Sequence, residues 1–401
     1  MADSKRTVVV MPGDGIGAVV LAEAVRVLTA AGFVADFVPA EIGWACWRRD
    51  GEPLPPRTIA LLAEHKLGLL GAITSKPKAA AEAELPASLR GRGLAYMSPI
   101  LALRQRFAQD VCMRPSRSYL GNPTNYVRRR ADGSIEEPPL DITVFRQNTE
   151  GLYAGVEWTD PPEDVREALA LHPKYAPFAS VTGRDLAVTV RLITRAACRR
   201  IVDAAFRYAA ERRFPSVTLA EKANVLRETS GLFEEVAREV AGAWPGVALS
   251  SVNIDALLMD LNRRPERHHV IVASNLFGDL LSDAIAGLTG GPGFSCSANL
   301  GPDVAIFEPT HGSAPAHAAW SVPIANPIAA ILAGALLAER AGAPEAAARI
   351  RGAVAAVVAE GHVRTYDMLR LPAGPDVVAS GASGTRAMAD AIVARVDKSG
   401  C

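Results

Sequence analysis

The chain has no net charge: its 43 basic residues cancel its 43 acidic ones over 401 positions. The broad positive field of a nucleic-acid or anionic-membrane binder is therefore missing. Small molecules are the expected partners, with no nucleic acid and no membrane. No uninterrupted apolar run reaches the roughly 18 residues that a membrane-spanning helix needs. The N-terminus passes from Met1–Arg6 directly into Val8–Val10, too short an apolar run for a signal peptide. Cysteine is scarce and scattered: Cys46, Cys112, Cys198, Cys296 and Cys401 are odd in number and include no C-x-x-C pair. That argues against a zinc site or a disulfide framework, and the expected location is the reducing cytoplasm.

Apolar side chains are ample, and the length exceeds what one hydrophobic core serves, so two domains or lobes are expected. Short Val/Ile-rich runs alternate with amphipathic segments: Thr7–Met11 then Ala18–Ala31, Leu67–Ile73, Ile142–Phe145, Val217–Leu219 then Val225–Ala241, His269–Ala273 then Leu280–Leu288. The alternation predicts an α/β protein with a largely parallel sheet. Gly121–Pro139, with Asp132-Gly133 inside it, reads as a hairpin excursion, and Ile328–Val358 as two helices broken near Gly342-Ala-Pro344. The basic residues of Arg195–Arg213 read as the solvated face of a helix that also carries Ala197, Ile201, Ala204, Ala205 and Ala209 at helical spacing.

Pro12-Gly-Asp-Gly-Ile-Gly17 follows a strand and opens a helix, with Asp36 about twenty residues on, which imitates a dinucleotide-binding fingerprint. Ala18 replaces its last glycine. Tight backbone geometry alone would also explain such a loop.

Chemistry concentrates elsewhere. Asp279 and Asp283 stand one helical turn apart just after the strand Val270–Ala273, a geometry that suits a hard divalent cation. Arg104, Arg114 and Arg146 sit beside apolar or turn residues, and three guanidinium forks would clamp a polycarboxylate. Lys222 follows Val217–Ala220, where partial burial would suit a general base, and Tyr153 ends the turn after Arg146.

Taken in order, Pro12–Gly17, Gly71-Ala-Ile-Thr-Ser75, Leu103-Arg-Gln105 with Arg114-Pro115, Phe145–Trp158, Lys222-Ala-Asn-Val-Leu226, Asn253-Ile-Asp255, Asn275–Asp283, Glu308–Pro315 and Thr365-Tyr-Asp367 resemble the β-decarboxylating dehydrogenases. This is the isocitrate and 3-isopropylmalate dehydrogenase family, and Leu103–Arg117 and Arg146–Trp158 look closest to its bacterial isocitrate-type members. The resemblance implies a two-domain, non-Rossmann fold. A large cofactor-binding domain would span 1–109 plus 286–401, and a small domain 110–285 would hold the dimer interface and the metal and catalytic residues. It further implies a homodimer with shared active sites. Tyr153 of one subunit and Lys222 of the other would be catalytic, with Arg104, Arg114, Arg146 and Ser98 binding substrate. Asp279 and Asp283 would hold Mg²⁺ or Mn²⁺ together with Asp255 of the other subunit. Cofactor contacts would come from Thr74, Asn224, Glu308, His311, Gly312, Ser313, Ala314, His317, Asn326, Tyr366 and Arg370.

The implied activity is oxidative decarboxylation of a 2-hydroxy-3-carboxy acid, isocitrate or a close analogue. Same-class variants are 3-isopropylmalate, homoisocitrate, tartrate or malate, and a phosphonate analogue. Two departures bear on the substrate: Ile100 occupies the place of an isocitrate-type asparagine, and Lys76–Ala95 is longer than the corresponding bacterial loop. A catalytically silent regulatory subunit would lack Tyr153, Lys222 or an aspartate, and all are present. For the cofactor, Ala316-His317 removes the acid by which NAD-type relatives bond ribose, while Tyr366-Asp-Met-Leu-Arg370 matches an NADP-type segment. NADP is expected over NAD.

Overall fold

The computed structural model describes residues 6–398; Cys401 lies outside them. In the N-terminal part the elements are β1 (Arg6–Gly13), α1 (Gly17–Ala30), β2 (Ala35–Pro39), α2 (Trp44–Asp50), α3 (Pro56–His65), β3 (Leu67–Ala72), α4 (Lys78–Ala83) and α5 (Pro99–Arg106). The middle part holds β4 (Val111–Arg117), β5 (Arg128–Arg129), β6 (Ile135–Glu136), β7 (Asp141–Gln147), β8 (Glu157–Thr159), α6 (Glu163–Ala170), β9 (Ala187–Thr189), α7 (Arg195–Glu211), β10 (Ser216–Glu221), α8 (Thr229–Ala241), β11 (Ala248–Asn253), α9 (Ile254–Leu261), β12 (Val270–Ala273) and α10 (Asn275–Leu288). There follow β13 (Cys296–Leu300), β14 (Ala305–Pro309), α11 (Pro315–Ala318), α12 (Ile328–Arg340), α13 (Pro344–Glu360) and α14 (Thr385–Lys398).

Ten strands join in one sheet, ordered β11-β10-β12-β7-β4-β13-β14-β3-β1-β2. Both flanks are parallel, as the alternating pattern predicts, but the centre is not. β4 pairs antiparallel with β7 and β13, and β13 antiparallel with β14. The sheet is therefore mixed, and the two parallel blocks run in opposite directions. Asp132-Gly133 forms the turn of the β5–β6 hairpin, and α12 and α13 break at Gly342. α8 starts at Thr229, four residues later than the apolar pattern suggests, because the Lys222 carbonyl accepts from the amides of Val225 and Leu226 in a separate turn. No described helix is long and apolar enough to cross a membrane.

Four apolar clusters sandwich this sheet. One gathers α1, α12, α13 and α14, and a second α7 and α8. A third lies under α3 and α5, and a fourth under α9 and α10. Alternation along the central strands then creates the site. Register places Arg146 opposite Cys112, Cys112 opposite Asn299, and Ser297 opposite Glu308, so Arg114, Arg146, Ser297, Asn299 and Glu308 share one face. On that face the third and fourth clusters leave between them a strip of polar and charged side chains.

The glycine loop is a packing device. A Cβ at Gly13 would fall 2.2 Å from the Ala72 carbonyl oxygen, and one at Gly15 1.9 Å from that of Ser313. Both residues also have positive φ, at +69° and +56°. Ile16 donates its amide to the Ser313 carbonyl at 2.9 Å, so the loop presses β1 against β3 and the 310–315 turn.

Candidate active site

Helix α10 presents Asp279 and Asp283 on one face because four residues make about one turn. Arg114 from β4 reaches both through Nη1, 3.1 Å from Asp279 and 3.3 Å from Asp283, and donates to Ser282 at 2.7 Å. Arg146 pairs with Asp279 and donates through Nε to Asn275 at 2.9 Å. The Tyr153 hydroxyl donates to the other Asp279 oxygen at 2.8 Å, and its ring lies under the Arg146 guanidinium. Gly278 permits this approach, since a Cβ there would lie 2.7 Å from that of Arg146.

Electrostatics follow from this crowding. Burial raises the Asp279 carboxyl, but the charges of Arg146 and Arg114 outweigh it and hold its pKa below the ordinary value. Burial, then the like charges of Arg114 and Arg104, pull Arg146 down to about 10. Burial and the bond to Asp279 push the Tyr153 hydroxyl upward. The Nε groups of Arg104 and Arg114 are buried without a partner. Buried donors left unmatched are costly unless a ligand completes them, and a carboxylate is the fitting acceptor.

Lys222 and Asp255 stand apart from this group. They follow β10 and β11, which are neighbours in the sheet, and meet at 2.5 Å with Asp255 largely exposed. Asn224, also exposed, shares their turn. Among the described residues no three His, Cys, Asp or Glu side chains gather around one point, so within one chain Asp255 does not join Asp279 and Asp283. Two hard carboxylates one turn apart still fit one side of a divalent-cation shell, and among the described residues no third stands with them.

Thr74 is a junction of the expected cofactor region. Its amide donates to Asp14 at 2.8 Å, its hydroxyl bonds Ser313 at 2.6 Å, and its carbonyl accepts from Tyr96 at 2.6 Å. Ala314 has a φ of 37°, a left-handed conformation disfavoured further by Pro315, and Gly312 is exposed beside it. His311 bonds the Gly312 carbonyl through Nδ1 at 3.1 Å, leaving Nε2 buried and unpartnered. His317 stacks on Trp320 at 4.5 Å and meets Tyr366 edge-on at 6.0 Å. Asn326 bonds Asp367, and Arg370 bonds the Pro123 carbonyl at 3.3 Å from an exposed position.

Glu308, expected as a cofactor contact, lies on the same sheet face as Ser297 and Asn299. Its buried carboxylate sits under Arg104 at 3.4 Å and accepts from Asn299 at 2.7 Å and Ser297 at 3.1 Å. Ser98 caps α5 without a side-chain bond, and Ile100 packs half-buried against the third cluster. The long Lys76–Ala95 segment is a folded platform: α4 and its flanks pack Ala81 and Leu85 against Trp44 and Trp47 of α2. Trp47 donates to the Ala81 carbonyl at 2.8 Å and Trp44 to Glu84 at 2.7 Å. The polar partners Asn275, Ser282 and Asn299 escaped the sequence reading. Asn275 and Ser282 lie inside the Asn275–Asp283 run and were legible in principle, whereas Asn299 depends on β13 pairing.

A family model described as isocitrate/isopropylmalate dehydrogenase matches residues 7–392. Protein DlpA of Legionella pneumophila is 34% identical over 361 residues, covering 90% of this chain and 55% of that protein, so the chain spans about half its length. An isocitrate/homoisocitrate dehydrogenase of Thermus thermophilus is 37% identical over 356 residues, covering 89% and 91% respectively. Among solved structures, isocitrate dehydrogenase from Methylococcus capsulatus superposes with a TM-score of 0.80 at 34% identity, over 98% of this chain and 99% of that one. With this match over almost its whole length, the chain belongs to the isocitrate/isopropylmalate dehydrogenase family of β-decarboxylating dehydrogenases.

Proposed function

We propose that the protein oxidatively decarboxylates isocitrate or a close 2-hydroxy-3-carboxy analogue, passing hydride to NADP in preference to NAD. One observation carries the reading: Tyr153, Arg146 and Arg114 converge on the Asp279 carboxylate, beside unpartnered Nε donors of Arg104 and Arg114. Arg104, Arg114 and Arg146 bind the substrate carboxylates, and Ser98 at the start of α5 addresses the distal one. Lys222 takes the proton from the C2 hydroxyl as hydride leaves. Tyr153 returns a proton to the carbon that loses CO₂, while the arginines stabilise the enolate charge. Asp279, Asp283 and a second subunit's Asp255 would hold Mg²⁺ or Mn²⁺, which when bound supplies Lewis-acid polarisation of the C2 oxygen.

The site is completed in a cytoplasmic homodimer with lobes at 1–109 plus 286–401 and at 110–285. Separation of Lys222–Asp255 from Tyr153–Asp279 supports sharing, as do the exposed Val225, Met259 and Leu280 near those residues. An isolated two-stranded β8–β9 ladder is marginal alone, which also favours a partner. Thr74, Asn224, Glu308, His311–Ala314, His317, Asn326, Tyr366 and Arg370 contact the cofactor.

Half-buried Ile100 favours a second reading within the family, an apolar distal group as in 3-isopropylmalate. Measuring kcat/KM for isocitrate, homoisocitrate, 3-isopropylmalate, tartrate, malate and a phosphonate analogue with each cofactor tests both. Isocitrate or homoisocitrate with NADP should lead. A lead of tenfold or so by 3-isopropylmalate would overturn the first reading in favour of the second, and no turnover of any would sink both.

A further inference from the structure

Resting on that reading, we infer that Arg191 is a positioning residue that fixes Lys222 relative to the Tyr153–Asp279 group within one chain. Arg191 follows β9, far in sequence from every residue it holds. Its Nη1 donates to Thr229 Oγ1 at 2.7 Å and Ser230 Oγ at 3.0 Å, and its Nη2 to Glu221 at 2.8 Å and Ser274 Oγ at 2.9 Å. Glu221 is buried, directly precedes Lys222, and accepts the Ser274 amide at 2.8 Å and the Ser230 hydroxyl at 2.5 Å. Ser274 caps α10, the helix that carries Asp279 and Asp283.

The neighbouring residues hold the tyrosine side. Leu192 and Gly151 exchange backbone bonds two residues before Tyr153, and Thr194 donates to Glu150 through both amide and hydroxyl. One strap, 190–194, thus grips the Tyr153 turn, the Lys222 turn and the start of α10. A planar fork reaching four oxygens on three segments sets distances as well as neutralising charge, which an ammonium cannot reproduce. If Lys222 serves the other subunit's site, Arg191 sets the mutual register of both sites.

Arg191→Gln, Arg191→Lys and Glu221→Gln test this by two independent readouts. Hydrogen exchange on the full-length protein should accelerate by about tenfold or more together at 148–153, 220–226 and 274–279, with β1 and β3 unchanged. In kinetics kcat should fall about tenfold or more, a larger factor than any rise in KM for the acid or the cofactor. Arg191→Lys should restore the melting temperature without restoring kcat. Acceleration confined to 188–194, an unchanged kcat in any folded variant, or full rescue of kcat by lysine would overturn the inference. Exchange needs no turnover, so wild type inert on every acid would refute the proposed function while the exchange result still decides the strap.

Discussion

Tyr153 and Arg146 share one carboxylate: the tyrosine hydroxyl donates to Asp279 Oδ2 at 2.8 Å and Arg146 pairs with Oδ1. Arg114 bridges Asp279 and Asp283, so the acids proposed for a cation are neutralised by the arginines proposed for the substrate. On the proposed reading, cation and polyanion would act as complements, each releasing the partners the other needs. Chelation should abolish turnover, and either Mg²⁺ or Mn²⁺ should restore it. Asp283→Asn should raise the half-saturating metal concentration by about 10- to 100-fold. Full activity after exhaustive chelation would refute the metal assignment.

Lys222→Met should impair oxidation and ketoacid reduction alike, because both need proton transfer at the C2 oxygen. Tyr153→Phe should spare those partial reactions and lose overall decarboxylation. Mixing the two inactive variants should regain partial activity through hybrid dimers, measured after subunit exchange. Exchange without regain would count against shared sites.

Arg370 decides the cofactor prediction. Among the described residues its exposed guanidinium makes a 3.3 Å bond to the Pro123 carbonyl, and in the proposed reading it would turn from there toward the 2′-phosphate of NADP. Wild type should prefer NADP, and Arg370→Ala should weaken NADP by about 1.5–3 kcal/mol with little change for NAD. Equal weakening of both cofactors would remove this role.

Stability should fall in mild acid through His311. Burial lowers its pKa from 6.5, with the Gly312 bond only partly opposing. The unfolded chain therefore protonates first, and stability present above 6.5 is lost as pH falls toward the folded value. Denaturant titrations above and below that pH should show a loss that His311→Asn diminishes. An identical pH dependence in the variant would exclude His311 as its source.

Trp47 anchors the 76–95 platform and is fully buried. Trp47→Ala should cost about 3–5 kcal/mol and open the segment to limited proteolysis. Undiminished protection there would place the anchor elsewhere.

Local signals were the legible ones. The α12–α13 break follows from Gly342 and Pro344, and the Asp279–Asp283 face from helical spacing. The reversal at β4 and β13 was not, because antiparallel pairing there joins residues such as Cys112 and Asn299 with no turn between them. Glu308 opens the Glu308–Pro315 motif, which is local, but its place under Arg104 is set only by strand pairing. Arg191 gave no signal, since its acceptors come from three distant segments.

The unbroken sheet also bears on how its two flanks could move. Among the described residues, hydrogen-bonded strands run without interruption from β11 to β2, across both flanks of the polar strip. Any relative movement of the two flanks would have to be carried as a change of twist across β7, β4, β13 and β14. Relative motion of the flanks would therefore load the hydrogen-bonded ladders at the centre of the sheet directly, and amide exchange there would report it.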